Sequence, residues 1–255
     1  PKNFKLLELF CGPGGLAAGA MQATIEFKGA QYSISPQYAN DIDEDTCRTY
    51  ALNIKKSELE AVSKSVIVGD IREKIESISK KKFNALAFGF PCNDFSMVGE
   101  TKGFDGKFGP LYTYGVQAID AQNPYWFLAE NVGGIRGANN GNAFKKILHD
   151  LENSGKHGYN LTAHLYKFEE YGIPQARHRV IIVGIRKDQN KTFRVPAPTT
   201  PNRSQQLSCK DAIRKPPIPK LFDNNEPTVQ STTVKDRLRC IPAGKNAWYL
   251  DELID

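Results

Sequence analysis

A proline-cysteine pair, Pro91-Cys92, follows a short apolar run and opens a stretch rich in glycine and polar residues. A thiol that follows a proline at the head of a loop is a candidate nucleophile. Further along the chain, Glu130 ends a second apolar run, where burial would raise the pKa of its carboxyl and let it hold a proton. These two residues are the first candidates for covalent chemistry.

Two arginines, Arg177 and Arg179, lie at the start of a later apolar run. Side chains two residues apart on a strand point to the same face of the sheet. One guanidinium could hold a base, and the other could hold Glu130 or a phosphate. Both arginines therefore join the candidate catalytic residues.

Three segments that each follow an apolar run predict a nucleoside site. A glycine-rich turn comes first, and such a turn lets the backbone approach a ligand at the amino end of a helix. Asp41 could accept hydrogen bonds from ribose hydroxyls, and Asp70 from an adenine amino group. The candidate cofactor-binding residues of these segments are Phe10, Gly12, Gly14, Gly15, Leu16, Asp41, Ile42, Asp70 and Ile71, with the two isoleucines bracketing the ring. The glycine spacing is not Gly-x-Gly-x-x-Gly, which disfavours a nicotinamide oxidoreductase.

The elements that must position these residues alternate between strands and helices. Strands are predicted at residues 4–10, 31–39, 65–68, 84–88 and 125–129, and helices at residues 16–21, 43–53, 111–121 and 142–153. Two later strands, at residues 160–168 and 179–185, are expected to pair antiparallel. The pattern predicts a doubly wound, mostly parallel α/β sheet with an antiparallel edge pair.

The spacing of loops and prolines predicts two domains. Residues 91–110 form a long loop at the carboxyl end of a strand, and loops of this length are usually functional. From about residue 187 onward, prolines interrupt regular structure. We therefore expect a catalytic domain over residues 1–187, followed by a proline-rich linker and an incomplete small domain over residues 188–255.

Charge and composition favour an intracellular, nucleic-acid-binding protein. The net charge of +6 suits a polyanionic partner. No apolar run approaches the roughly 18–20 residues of a membrane span, and the first residues do not resemble a signal peptide. The five cysteines are widely spaced without a Cys-x-x-Cys pair. We expect no disulfide, no metal site and no membrane partner.

Four segments in order resemble the signature motifs of the DNA cytosine-5 methyltransferase family. They are FCGPGGL at residues 10–16, GFPCNDFS at 89–96, ENV at 130–132 and QARHRV at 175–180. The resemblance implies a Rossmann-like fold that binds S-adenosyl-L-methionine at the glycine turn, with Pro91 and Leu111 also at the cofactor. It further implies that Cys92 is the nucleophile, that Glu130 is the acid at cytosine N3, and that Arg177 and Arg179 lie near a flipped base.

The resemblance predicts methyl transfer to C5 of cytosine in double-stranded DNA. Such a protein would be the modification component of a restriction-modification system, in the prokaryotic cytoplasm and associated with the nucleoid. Ser96, Lys102 and Lys107, in the long loop, are expected to contact DNA. The alternatives are a cytosine-5 methyltransferase that acts on transfer RNA, and a non-catalytic binding subunit.

Members of this family normally continue through a target recognition region to two further motifs, which this sequence does not show. Residues 237–244 resemble the start of such a recognition region in some members. We therefore expect a second polypeptide that supplies the rest of the recognition region and the segment that closes the cofactor pocket, or else an incomplete chain.

Overall fold

A computed structural model of the chain describes residues 2–91, 111–217, 228–242, 244–245 and 249. The chain divides into two compact units, Pro1–Leu207 and Ser208–Asp255. The first unit contains the sheet and the candidate site residues described below. The second contains two of the helices.

The described strands form one eight-stranded sheet in the order β2-β3-β1-β5-β6-β8-β7, with β4 paired to β3. They are β1 Asn3–Leu9, β2 Ile25–Phe27, β3 Ala30–Asp41, β4 Val66–Val68, β5 Ala85–Gly89, β6 Trp126–Val132, β7 Tyr159–Lys167 and β8 His178–Arg186. Strands β1, β3, β4, β5 and β6 are parallel, whereas β8 is antiparallel to β6 and β7, and β2 to β3. The predicted mostly parallel sheet with an antiparallel edge pair is confirmed.

The helices of the first unit are α1 Gly15–Gln22, α2 Glu44–Tyr50, α3 Leu59–Val62, α4 Ile71–Ser79, α5 Tyr112–Gln122 and α6 Asn142–Glu152; those of the second are α7 Cys209–Arg214 and α8 Thr232–Arg239. The predicted helix over residues 43–53 divides into α2 and a π-helical turn, Ala51–Lys55. Helix α4 was not predicted, although Ile71, Ile75 and Ile78 have the spacing of a buried helical face. No helix in the described part of the chain has the length and hydropathy to cross a membrane.

The central strands β1 and β5 are buried on both faces, as parallel strands between two helical layers must be. Leu7 and Leu9 pack into the larger core with α4, α5 and α6. Leu6 points the other way and packs with Leu16 of α1. This alternation explains the nearly continuous apolar run of β1, and it gives the two-sided arrangement that the sequence predicts.

The strand order reverses at β1. The chain leaves β1 toward β3 and β4, and returns on its other side with β5 and β6. The carboxyl ends of these parallel strands share one edge of the sheet. In open α/β sheets, ligands usually bind at this edge, next to the point where the strand order reverses. Because β8 is antiparallel to β6, its amino end lies at the same edge. We call this side of the sheet the switch edge.

The first unit ends at Leu207 and not at residue 187. The segment that follows β8 packs back onto the sheet, and the predicted division into two domains near residue 187 stays a prediction. Thr162 Oγ1 donates a hydrogen bond to the carbonyl of Phe193 at 2.9 Å. The assignment of the later residues to a recognition region stays a prediction.

Glu8 is a carboxyl in the middle of β1, and only 1% of the residue is exposed. The hydroxyl of Tyr50 donates a hydrogen bond to its Oε2 at 3.4 Å. Burial raises the pKa of Glu8 to about 8, because its effect is larger than the lowering effect of the hydrogen bond from Tyr50. Glu8 is therefore mostly protonated at neutral pH, so the sheet interior carries little net charge at this position.

We expect Glu8→Gln to flatten the pH dependence of stability. The folded state binds the Glu8 proton more tightly than the unfolded state does. The resulting contribution of Glu8 to the free energy of unfolding is fully present below pH 4.5 and is lost as the pH rises to about 8. Between these pH values the free energy of unfolding of the natural chain should fall by about 2–4 kcal/mol, and that of the Gln variant should not show this fall. Thermal unfolding from pH 5 to 9 measures the difference, with Glu26→Gln on exposed β2 as the control. Parallel curves for the natural chain and Glu8→Gln would contradict this account.

Candidate functional site

The turn after β1 brings glycine backbone to the switch edge. Phe10, Gly12 and Gly14 have φ values of 54°, 54° and 97°, in the left-handed region that favours glycine. A Cβ on Gly14 would lie 2.6 Å from Cγ1 of Ile54, so this position also has no room for a side chain. A Cβ on Gly12 or Gly15 would meet nothing within 4 Å. The turn therefore has open space beside it at the amino end of α1.

Asp41, the last residue of β3, lies next to this turn. Its Oδ2 accepts a hydrogen bond from the backbone N–H of Gly12 at 2.9 Å, and its Oδ1 accepts one from the N–H of Asp43 at 3.1 Å. Each carboxylate oxygen can accept a further hydrogen bond. The next residue, Ile42, is 66% exposed, so its apolar side chain can contact a ligand. A carboxylate beside apolar surface suits the ribose and base of a nucleoside.

Asp70 follows β4 at the same edge and caps α4. Its Oδ1 accepts a hydrogen bond from the backbone N–H of Arg72 at 2.9 Å, and its carboxylate forms an ion pair with the Arg72 guanidinium. The side-chain hydrogen bond from Arg72 lowers the pKa of Asp70, which keeps it ionised. A ligand amino group would therefore share this carboxylate with Arg72.

Ile71 and Leu111 do not line open space. Ile71 is 3% exposed and Leu111 is 8% exposed, and both pack in the larger core. They offer a ligand almost no surface, so the predicted contacts of these two residues with a cofactor find no support in the structure. The predicted bracketing of a ring by Ile42 and Ile71 stays a prediction. Leu16 and Phe10 are half-buried, each packed against one face of the sheet.

Glu130 lies on β6, directly opposite Gly89 of β5 in the strand register. Its Oε1 is 2.8 Å from Nε of Arg179, and 25% of its side chain is exposed. Burial raises the pKa of Glu130, and the charges of Arg179 and Arg177 only partly offset that effect. This direction agrees with the raised pKa that the sequence predicts. A Cβ on Gly89 would lie 3.1 Å from Glu130 Oε2, so this glycine leaves room for the carboxylate.

The two predicted arginines differ in their surroundings. Arg179 is the second residue of β8, and 18% of its side chain is exposed. Its Nη1 donates a hydrogen bond to the carbonyl of His178 at 2.8 Å. Arg177 lies before the strand begins and is exposed, and it acts on Glu130 through its charge. Arg179 therefore holds the acid directly, while the guanidinium of Arg177 is on the surface.

Asn131 is a site residue that the sequence analysis did not single out. It is 3% exposed, and its Nδ2 donates a hydrogen bond to the carbonyl of Phe90 at 3.1 Å. Its Oδ1 accepts one from the N–H of Val132 at 2.8 Å. An amide directly after Glu130, in an otherwise apolar strand, was the available signal. Asn131 ties the end of β6 to the backbone that precedes Pro91.

The switch edge therefore carries two groups of candidate residues. The nucleoside half consists of the glycine turn, Asp41, Ile42 and Asp70, and the acid half consists of Glu130, Asn131, Arg179 and Arg177. Pro91 is half-buried and follows β5, between the two halves. Cys92, Ser96, Lys102 and Lys107 lie outside the described residues. Within the described ranges, no group of three or more His, Cys, Asp or Glu side chains could hold a metal ion.

A sequence profile of the C-5 cytosine-specific DNA methylase family matches residues 4–248. The chain belongs to this family. The membership confirms the resemblance carried by the four segments, and the profile match spans both units of the structure.

Two curated relatives show how much of a family member is present. The chain is 48% identical to the Type II methyltransferase M.BbvI of Brevibacillus brevis over 251 residues, which cover 96% of this chain and 65% of the relative. It is 34% identical to the Type II methyltransferase M.NgoFVII of Neisseria gonorrhoeae over 248 residues, which cover 95% and 60%. The chain thus spans less than two thirds of the length of these relatives.

The fold is also that of a solved methyltransferase structure. A candidate DNA modification methyltransferase encoded within a prophage of E. coli superposes with a TM-score of 0.62. The sequence identity is 23%, and the match covers 86% of this chain and 56% of that one. This similarity supports the predicted Rossmann-like fold.

We expect Gly14→Ala and Gly15→Ala to differ sharply in stability. The first variant places a methyl group against Ile54 at a backbone conformation that disfavours a side chain. The free energy of unfolding should therefore fall by about 2 kcal/mol or more. The second adds the same methyl group in open space at the start of α1, with an expected change within about 0.5 kcal/mol. Chemical denaturation compares the two. Equal losses would show that crowding at Gly14 does not shape the turn.

Proposed function

We propose that this chain is the catalytic part of a cytosine-5 DNA methyltransferase of a restriction-modification system. In this proposal it transfers a methyl group from S-adenosyl-L-methionine to C5 of a flipped-out cytosine in double-stranded DNA. The observation that carries the proposal is the pair of Glu130 and Arg179, one strand away from the strand that leads into Pro91-Cys92. Family membership supplies the reaction class.

The nucleoside half fits the proposed cofactor. The open space beside Gly12 and Gly15, at the amino end of α1, would take the amino acid part and the sulfonium. Asp41 would accept hydrogen bonds from the ribose, and Ile42 would pack on the base. Asp70 would accept from the adenine amino group. When bound there, S-adenosyl-L-methionine would supply the methyl group as an electrophile.

The acid half suits activation of a cytosine. C5 of cytosine is a poor nucleophile until a thiolate adds at C6 and a proton is donated at N3. In the proposed reaction Cys92 adds at C6, and Glu130, with its raised pKa, gives the proton to N3. The electron pair then becomes available at C5. After methyl transfer, a base removes the C5 proton and the C6–S bond breaks, which releases the Cys92 thiolate, and N3 returns its proton to Glu130.

Neighbouring residues keep this acid in place. Arg179 fixes one oxygen of Glu130, and Gly89 leaves space around the other. Asn131 anchors the carbonyl of Phe90, and with it the backbone that leads to Cys92. The exposed guanidinium of Arg177 is available to the base or to a phosphate.

The target base must leave the DNA stack before a thiol can reach C6. Flipping costs a few kcal/mol, which contacts to the base and the DNA backbone must offset. We propose that Ser96, Lys102 and Lys107 contribute such contacts, because they lie in the stretch after Cys92 and the net charge of the chain is +6. Counterion release from phosphates would add salt-dependent affinity.

The residues that choose the DNA sequence are proposed to lie in the later part of the protein. We propose that the second unit begins the target recognition region. The expected second polypeptide stays a prediction that the similarity to the two curated relatives does not support.

We expect Cys92→Ser to abolish a covalent complex that the natural protein forms with DNA containing 5-fluorocytosine. The thiol adds at C6 and the methyl group is transferred, but fluorine cannot leave C5 as a proton would, so the complex is trapped. Denaturing gel electrophoresis of a protein that contains this chain, with a DNA pool and the methyl donor, measures the adduct. Glu130→Gln should slow its formation by about 100-fold or more.

Cys209→Ser, which changes an exposed cysteine of the second unit, is the matched control and should form the adduct normally. An adduct that persists in Cys92→Ser would contradict the assignment of the nucleophile. An adduct on transfer RNA and none on DNA would contradict the proposed substrate.

A further inference from the structure

Two side chains that the proposed chemistry does not use, His178 and Glu169, meet beside the acid half. Nε2 of His178 lies 2.8 Å from Oε1 of Glu169. His178 is adjacent to Arg179 in β8, so its side chain points to the opposite face of the sheet. The pair therefore lies on the face of the sheet away from Glu130.

The backbone of His178 connects this pair to the acid. The Arg179 guanidinium is held at two points: its Nε lies 2.8 Å from Glu130 Oε1, and its Nη1 donates to the His178 carbonyl at 2.8 Å. The direction of the guanidinium therefore depends on where that carbonyl points. The pairing of β6 with β8 starts only at Arg179. His178 is therefore paired only with β7, where it lies opposite Lys167.

Glu169 is itself held by the segment after β8. It lies in a 3-10 turn, Phe168–Tyr171, that directly follows β7. Thr200 Oγ1 donates a hydrogen bond to the carbonyl of Glu169 at 2.9 Å, and Thr200 N–H donates to the carbonyl of Glu170 at 2.8 Å. This segment therefore fixes the turn from which Glu169 reaches His178.

The Glu169 carboxylate is more buried than an ordinary surface acid. Its side chain is 18% exposed, and among the described residues its Oε2 is buried without a hydrogen-bond partner. His178 supplies the side-chain hydrogen bond to this carboxylate, and the backbone N–H groups of Arg177 and Glu169 also donate to it. Hydrogen bonds, joined through the covalent structure of Glu169 and of His178, thus link Thr200 to Arg179 and Glu130.

We propose that His178 and Glu169 are positioning residues, which fix the first peptide of β8 so that Arg179 stays on the Glu130 carboxylate. The proposal rests on the proposed function in so far as Glu130 is the acid of the reaction. A purely structural pair would only close the end of the β7–β8 ladder. The Lys167–Glu170 ion pair, 3.5 Å long at the same end of the sheet, provides a control for that case.

The proposal has a consequence for the titration of Glu130. The charged groups that face Glu130 in the described structure are Arg179 and Arg177, and the opposing residue on β5 is the uncharged Gly89. If Arg179 loosens, its lowering effect on the pKa of Glu130 weakens while burial still raises it. The pKa of Glu130 should then rise.

The test follows the carboxyl carbon of Glu130 by NMR in protein labelled with ¹³C-glutamate, with the signal assigned from Glu130→Gln. We expect His178→Ala and Glu169→Ala each to shift the titration upward, and the double variant to shift it no further. His178→Gln keeps a hydrogen-bond donor and should titrate like the natural chain. Lys167→Ala should leave the titration unchanged. Because the His178 side chain is 47% exposed, its truncation should leave the fold intact.

An unchanged Glu130 titration in both alanine variants would overturn the proposal, and so would an equal shift in Lys167→Ala. The titration does not require turnover. If the natural protein failed to methylate DNA, that result would contradict the proposed function. The titration of Glu130 would still test the positioning role of His178 and Glu169. In an active protein, we further expect His178→Ala to lower kcat more than it changes KM.

Discussion

The ion pair of Glu130 and Arg179 is the interaction on which the candidate site depends. It joins the carboxyl end of β6 to the amino end of β8, and this meeting is possible only because β8 is antiparallel in an otherwise mostly parallel sheet. A parallel strand in that position would place its amino end at the far edge. Two opposing effects act on the pKa of Glu130 in this pair. Burial favours the protonated carboxyl and raises the pKa, while the Arg179 guanidinium favours the ionised carboxylate and lowers it.

The polar groups of the switch edge are held mainly by backbone atoms of neighbouring strands and turns. Asp41 accepts from the turn after β1, Asn131 donates to the end of β5, and Arg179 donates to the carbonyl before it. Each bond fixes a strand end at the point where a connection leaves the sheet. The sheet thereby supplies rigidity, and the turns that follow it supply the groups that would meet a ligand.

The sheet class and the proximity of Glu130 to Arg179 were predictable because their signals are local. Apolar runs ended by Asp41 or Glu130 indicate strand ends, and parallel strands bring their ends together. The burial of Ile71 was not predictable in this way, because α4 was not recognised and the pattern does not say which face of a helix meets the core. The packing of the segment after residue 187 was not predictable for a similar reason, since prolines mark a loss of regular structure but not a loss of packing. Contacts such as that of Asn131 with Phe90 join residues far apart in sequence, and no local pattern encodes them.

The central claim is that this edge directs a methyl group to carbon 5 of cytosine in DNA. It is tested most directly by mass spectrometry of nucleosides from DNA treated with a protein containing this chain and a donor that carries a trideuterated methyl group. The account predicts 5-methyl-2′-deoxycytidine that retains all three deuterium atoms. Label found on the exocyclic nitrogen of cytosine, on adenine, or only in RNA would contradict it.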